Sequence, residues 1–375
     1  MGFDKNKQRC FDKLCWCFDY LTIPYQESQL ETIAELIVET MSGPWRYFHN
    51  PDHIFHVGGE EDPIQVLAAL FHDIVYVQVD QSININLSYY VAPFIHEVKD
   101  KLFIRGDHPT HTDPAYELVK TIFGFRAHQE LSPYAGQNEF LSAIVAAKVL
   151  EPMMDLGLIA QIVTCIEITI PFRDRHIFEQ LQTRLTDAGE QFHLNFTPDT
   201  ITAILKKAVM IANRDVDGFA DIPGIFLGNT WSLMPETNHR LDNANIYTVR
   251  DYRIAMEKMT GFLRFLKPAS VFHQFEGVPS DERYAYLEQR AHYNLTLGRT
   301  YMGIKLLTIA VIEAIALRLG AEVPIATMMG QMPRPGEKLP RLDDFLPPLK
   351  EPYIPQNHRR RRNIESFRVR SGSHF

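Results

Sequence analysis

Three histidines fall within eight residues of one another in Trp45-Arg-Tyr-Phe-His49-Asn-Pro-Asp-His53-Ile-Phe-His56, and the run Leu67-Ala-Ala-Leu-Phe-His72-Asp73 follows shortly after. Asn50 ahead of Pro51 predicts a capped helix start. His49 then stands beside the helix N-terminus, with His53 and His56 on its first turns. Free backbone N–H groups and the helix dipole favour an anion at such a position, so the spacing predicts one phosphate among three imidazoles. His72 and Asp73 lie in a run apolar enough to be a buried helix. Burying such a pair costs several kcal/mol, roughly, unless partners or a metal satisfy it. Any one of these five residues alone is most simply a hydrogen-bonded core or surface residue. Together, on two successive segments, they predict a site.

The elements that must position them read as helices. Asn50-Pro51, Asp62-Pro63, Asp113-Pro114 and Thr197-Pro198 each place a capping side chain before a proline at the first helical position. Apolar residues recur at helical spacing, as in Leu30, Ile33, Ala34 and Ile37, and again in Ile201, Ile204, Leu205 and Val209. Strand-like alternation is almost absent, so the expected class is all-α. The pattern predicts a helical core from Gln29 to Phe219 and a Pro/Gly-rich crossing from Asp221 to Pro235. Beyond it come a helix near Tyr247 to Leu266 and a long helix from Asp281 to Leu319, ended by Gly320. In domains this gives a core over 1–225, a helical lobe over 226–330 and a Pro/Arg-rich tail over 331–375.

Of the 375 residues 45% are apolar, enough for a sizeable core, and 38 basic against 46 acidic residues leave a formal charge of −8. That balance argues against nucleic acid or an anionic membrane as the main partner. The six arginines of residues 356–375, including Arg359 to Arg362, read as a solvated tail. Cys10, Cys15, Cys17 and Cys165 form no zinc-type spacing and read as free thiols in a reducing compartment. No apolar stretch follows a basic start at the N-terminus, so no secretory signal is expected. The longest apolar run, Ile304 to Leu319, is broken by Lys305 and Glu313 and is expected to be a buried core helix rather than a membrane span. No GxSxG, GxxxxGK[ST] or HExxH motif is present, which leaves serine hydrolase, P-loop and zincin readings without an anchor.

Tyr-Phe-His49-Asn-(three)-His53 followed by Leu-Ala-Ala-Leu-Phe-His72-Asp73 resembles the HD superfamily, whose phosphohydrolases and phosphodiesterases are helical and mostly bind divalent metal. The resemblance implies His53, His72 and Asp73 as metal ligands and His49 as the acid that protonates the leaving oxygen. Where simple members carry a last Asp ligand, Phe140-Leu-Ser142-Ala-Ile144 has Ser and Ile. Asp215, in Ala212-Asn-Arg-Asp-Val-Asp217, is a possible substitute at an unfamiliar spacing, and the resemblance by itself implies a broken metal site.

A narrower resemblance accommodates that departure. Phe71-His-Asp-Ile-Val-Tyr-Val-Gln-Val-Asp80, Gly136-Gln-Asn-Glu-Phe-Leu-Ser142 and Ile170-Pro-Phe-Arg173 with His176 are similar to the phosphodiesterase domain of the SidE-type Legionella effectors, over about Gln29 to Gly320. This implies a metal-independent phosphodiesterase that removes phosphoribosyl-linked ubiquitin from serines, or cleaves ADP-ribosylated ubiquitin, as the stand-alone Dup deubiquitinases do. The implied setting is a bacterial effector in the host cytosol, with ubiquitin and its conjugates as partners and no cofactor. His49 would attack phosphorus, His176 would protonate the leaving group and Glu117 would orient a histidine. Glu117, Thr121, Gly124 and His128 share one helical face by spacing, and Asp113 is the runner-up acid. Arg173 could grip a phosphate or pair with a nearby acid; Asn138 and Glu139 would contact ribose or ubiquitin. His53, His56, His72 and Asp73 would line the substrate. Two rivals remain: a metal-dependent HD phosphohydrolase acting on nucleotides, with the cation on His53, His72 and Asp73, and a non-catalytic helical scaffold that binds ubiquitin.

Overall fold

The computed structural model describes residues 2–106, 113–241, 246–318 and 322–325. The tail expected over 331–375 and the helix stop at Gly320 lie outside the described residues. The fold is all-α, as the sequence pattern predicts.

In chain order the helices are α1 (Phe3–Tyr20), α2 (Glu27–Met41), α3 (Pro51–Gly58), α4 (Pro63–Phe71), α5 (Val77–Asp80), α6 (Ile85–Val91) and α7 (Pro114–Phe123). They continue with α8 (Gln137–Leu150), α9 (Leu156–Glu167), α10 (Ile177–Gln191), α11 (Pro198–Asp215), α12 (Pro223–Thr237), α13 (Val249–Phe265) and α14 (Asp281–Arg318). Between α6 and α7 sits an antiparallel hairpin, β1 (Ile95–Val98) and β2 (Lys101–Ile104). The sequence pattern does not predict this hairpin, because its strands are only four residues long and its turn, Lys99-Asp100, uses two left-handed non-glycine residues.

All four Asx/Thr-Pro steps begin helices. The side chains of Asn50, Asp62, Asp113 and Thr197 each accept backbone N–H groups of the first turn. One hydrophobic cluster runs from Cys10 to Ala212, and it draws in α1, ahead of the predicted start at Gln29, through the buried Cys10, Leu14, Cys17 and Phe18. A second cluster, from Phe226 to Ile325, joins α12, α13 and α14.

Two expectations need correcting. The segment Asp221 to Pro235 is largely a helix, α12, rather than a crossing: Pro223 occupies its first turn, where a missing N–H costs nothing, and Pro235 falls in its last turn. Nor is the apolar run from Ile304 buried. Only 17% of the most apolar eighteen-residue stretch of α14 is buried: Met302, Ile309 and Ala316 are buried at seven-residue spacing, the first two in the second cluster, with Leu306 and Ile312 partly buried against it. By length and composition α14 would also suffice to cross a membrane.

Candidate functional site

The N-cap of α3 fixes the first histidines. Asn50 Oδ1 accepts from Asp52 N at 3.0 Å and His53 N at 3.3 Å, so the backbone donors once assigned to a phosphate are already engaged by a side chain. His49 therefore precedes the helix, and His53 projects from its first turn toward α4. At the end of α4, His72 Nδ1 lies 2.8 Å from the carbonyl of Ala69. A carbonyl only accepts, so the proton sits on Nδ1 and Nε2 faces away with its lone pair free in the neutral ring.

That Nε2 meets three other donor atoms. His72 Nε2 lies 3.1 Å from Asp73 Oδ2 and 3.3 Å from Asp215 Oδ1. His53 Nε2 lies 3.4 Å and 3.2 Å from the same two oxygens. One ligand atom from each of the four residues falls within 4.8 Å of all the others. Both Nε2 atoms are buried without a properly directed hydrogen bond. Two imidazole nitrogens and two carboxylate oxygens converging with lone pairs inward form a donor set suited to a divalent cation such as zinc, manganese or iron.

The charge balance reflects the same crowding. Burial works against the protonated form of His53, yet Asp215 and Asp73 outweigh it and raise the group to about 9. His72 is likewise raised well above its ordinary value by the two carboxylates, against burial. Burial would push the carboxyl groups up, but the facing imidazoles hold Asp73 well below its usual range and Asp215 at about 2.

The polypeptide around Asp73 is firmly held. Arg46 forks onto Asp80 at 2.9 and 2.6 Å and donates from Nη1 to the Asp73 carbonyl at 2.9 Å. From α8, Ser142 Oγ accepts from Val75 N at 3.0 Å and Asn138 Oδ1 from Val77 N at 3.1 Å. Ser142, which replaces an expected aspartate, thus braces the segment that carries Asp73, and Asp215 at the end of α11 supplies the fourth oxygen.

His49 borders this cluster, its ring 5.4 Å from that of His53 and 4.7 Å from Tyr76. Its acidic partner is Glu236 of α12: Oε2 lies 2.6 Å from His49 Nδ1, while Oε1 accepts from Phe48 N at 2.6 Å and His49 N at 2.9 Å. Glu236 is fully buried, and burial would raise its carboxyl, but His49 and the two backbone donors hold it below the ordinary value. Glu139 on α8 behaves oppositely. Burial, with the Asp73 and Asp215 carboxylates nearby, lifts it to about 7 against the pull of Arg173.

The remaining predicted residues have other partners. Glu117 accepts from Lys120 Nζ at 2.7 Å. The helical face proposed for it stops short, because α7 ends at Phe123 and His128 lies beyond it in a left-handed conformation. Asp113 caps α7 and pairs with Lys148 at 2.8 Å. His176, 74% exposed, stands at the start of α10 facing Glu179 at 3.4 Å and Asp174 at 3.8 Å. Arg173 forks onto the buried Glu167 at 2.7 and 3.0 Å. His56, 62% exposed, meets Asp217 at 2.7 Å.

The geometry thus gathers His49, His53, His72 and Asp73 with Asp215 and Glu236, and none of the interactions described above joins Glu117 or His176 to them. The sequence offers a weak sign of Asp215, a possible substitute for the missing aspartate ligand at an unfamiliar spacing. It offers none of Glu236, which lies 187 residues from its partner. Comparison with family models, with curated proteins and with solved structures gives no match to this chain.

Proposed function

We propose that this chain is a metal-dependent hydrolase of phosphate esters, with an HD-like core in which His53, His72, Asp73 and Asp215 hold the cation. The observation that carries the reading is the convergence of two buried imidazole Nε2 atoms, neither properly hydrogen-bonded, on two carboxylates. Phosphate as the substrate group rests on the resemblance of the His49, His53 and His72-Asp73 segments to HD phosphohydrolases. A divalent cation held there would supply Lewis-acid polarisation of a phosphoryl oxygen and acidification of a water.

The protein's own groups do the rest. Glu236 accepts from His49 Nδ1–H, so that in the doubly protonated ring the Nε2 proton passes to the leaving oxygen as its bond to phosphorus breaks. Tyr76, its hydroxyl kept protonated by burial and by Asp73, packs over His49 and keeps its ring from turning.

The test is metal content together with turnover of an aryl phosphodiester, a panel of nucleotides and a phosphoribosyl-serine ubiquitin conjugate. A bound cation near one per chain, loss of turnover on chelation with recovery on re-addition, and a drop of about 100-fold or more in Asp215→Asn are expected. Full turnover after chelation in both proteins would overturn the proposal. Chelator-resistant cleavage of the ubiquitin conjugate alone would instead support the metal-independent reaction implied by the SidE-type resemblance.

A further inference from the structure

Four ligand atoms from α3, α11 and the residues that end α4 can hold one cation only if those helices keep their spacing, since coordination tolerates shifts of about 0.2 Å. Arg214, which precedes Asp215 in the last turn of α11, joins all three helices. Its Nε donates to the carbonyl of Val57 at 2.7 Å and its Nη2 to that of Gly58 at 3.1 Å, and Nη2 also donates to Gln65 Oε1 on α4. Val57 and Gly58 belong to the last turn of α3, whose carbonyls have no partner within the helix, and both residues are buried. A guanidinium there satisfies them and sits favourably at the negative end of the helix dipole. Gly59 leaves the room for it. That residue has a left-handed φ of 66°, and a Cβ built on it would lie 3.1 Å from Arg214 Nη1.

We propose that Arg214 is a positioning residue of the cation site: by clamping the carboxyl end of α3 and the first turn of α4 onto α11, it sets the distances at which His53, His72 and Asp73 meet Asp215. The inference rests on the reading of that cluster as a cation site. His53 lies one turn before Val57, and Gln65 precedes His72 by two turns, so Gln65 and His72 stand on the same side of α4. Among the described residues, no side chain of α11 other than the ligand Asp215 reaches both α3 and α4 with a polar group. His56 meets Asp217 just beyond α11 and is 62% exposed, and Lys207 reaches Asp62, the cap of α4.

The sign of the effect separates positioning from charge. Arg214 is itself a cation close to a cation site, so its removal alone strengthens cation binding by relieving repulsion. A loss of affinity on removal therefore reports geometry. Arg299 of α14 is the matched comparison, since it caps the carboxyl end of α13 in the same manner, away from the cluster. Its Nε donates to Leu263 O at 2.8 Å and its Nη2 to Leu266 O at 2.5 Å, both residues of the second hydrophobic cluster.

The experiment is titration of cobalt(II) into metal-free full-length protein, read by visible absorption, with urea melts in chelator as the measure of stability. Arg214→Met keeps the aliphatic stem and should weaken cobalt binding by at least about 10-fold, with its absorption bands altered. Arg299→Met loses the same kind of cap and should keep its cobalt affinity within about twofold of wild type, whatever stability it loses. Gln65→Met removes only the arm to α4 without changing charge, and should weaken binding by at least about threefold, the worth of one hydrogen bond. That variant decides the question if Arg214→Met does not fold. Unchanged or tighter cobalt binding in folded Arg214→Met, or in Gln65→Met where the first is unfolded, overturns the inference, as does an equal loss in Arg299→Met. Wild type that binds no cobalt brings down the cation site and the inference with it, an outcome told apart by absorption missing from every protein.

Discussion

Glu236 binds His49 twice, through the ring Nδ1 and the backbone N–H, and the preceding Phe48 N–H once, from a helix that belongs to the second hydrophobic cluster. The two residues are 187 positions apart, so the second lobe completes the site rather than merely adjoining it. The carboxylate fixes both the position of the imidazole and the nitrogen that carries its proton, which is the way an orienting acid makes a histidine useful.

Glu236→Gln tests that pairing. A glutamine amide keeps one oxygen for the backbone donors but presents NH2 to Nδ1, which removes the acceptor that the doubly protonated ring needs there. For esters with a poor leaving group kcat should fall about 100-fold, since proton delivery to the departing oxygen is lost. An aryl ester with a good leaving group should lose far less, as little proton transfer is needed. An equal loss on both substrates, or none on either, would show that Glu236 only supports the fold.

The helices that carry the site were readable because their signals are local. Asn50-Pro51 and Asp62-Pro63 cap α3 and α4 within a few residues, and those two helices deliver His53 and His72-Asp73. Glu236 was not readable as a partner and Asp215 only as a possible substitute for the missing aspartate, because what joins them to the histidines is tertiary packing between α3, α4, α11 and α12. The misreading of α14 has the same origin. Periodicity identifies an apolar face but not what covers it, and Met302 and Ile304 look alike in sequence while the first is buried and the second exposed. For Glu117 and His176 the resemblance assigned roles that the local pairings with Lys120, Glu179 and Asp174 do not serve.

His176→Ala, on the surface, and Glu117→Gln, which loses only the pairing with Lys120, should therefore retain turnover within about twofold of wild type. His49→Ala, assayed beside them, should lose at least about 100-fold. Single-turnover rates on the phosphoribosyl-ubiquitin conjugate and on an aryl phosphodiester give the comparison. Comparable collapse in His176→Ala and His49→Ala would mean that the two imidazoles do act on one phosphorus, and the metal-dependent reading would fail.

A pH-dependent contribution to stability comes from His273, buried against Phe178 with its backbone tied to Asn213. Burial, reinforced by the cations of Arg173 and Arg175 and opposed by Asp174, lowers it from 6.5 to about 4. Between those values the unfolded chain holds a proton that the folded chain refuses, so acid favours unfolding in this window and the effect vanishes above about 7. From pH 7.5 to pH 5 wild type should lose about 2 kcal/mol more stability than His273→Gln, in which the titrating group is gone. Urea melts of both proteins at the two pH values, in the presence of chelator so that cation binding does not enter, give the difference directly. Parallel losses in the two proteins would mean that His273 takes up its proton in the folded chain as readily as in the unfolded one, and that the arginines on the neighbouring loop leave its charge undisturbed.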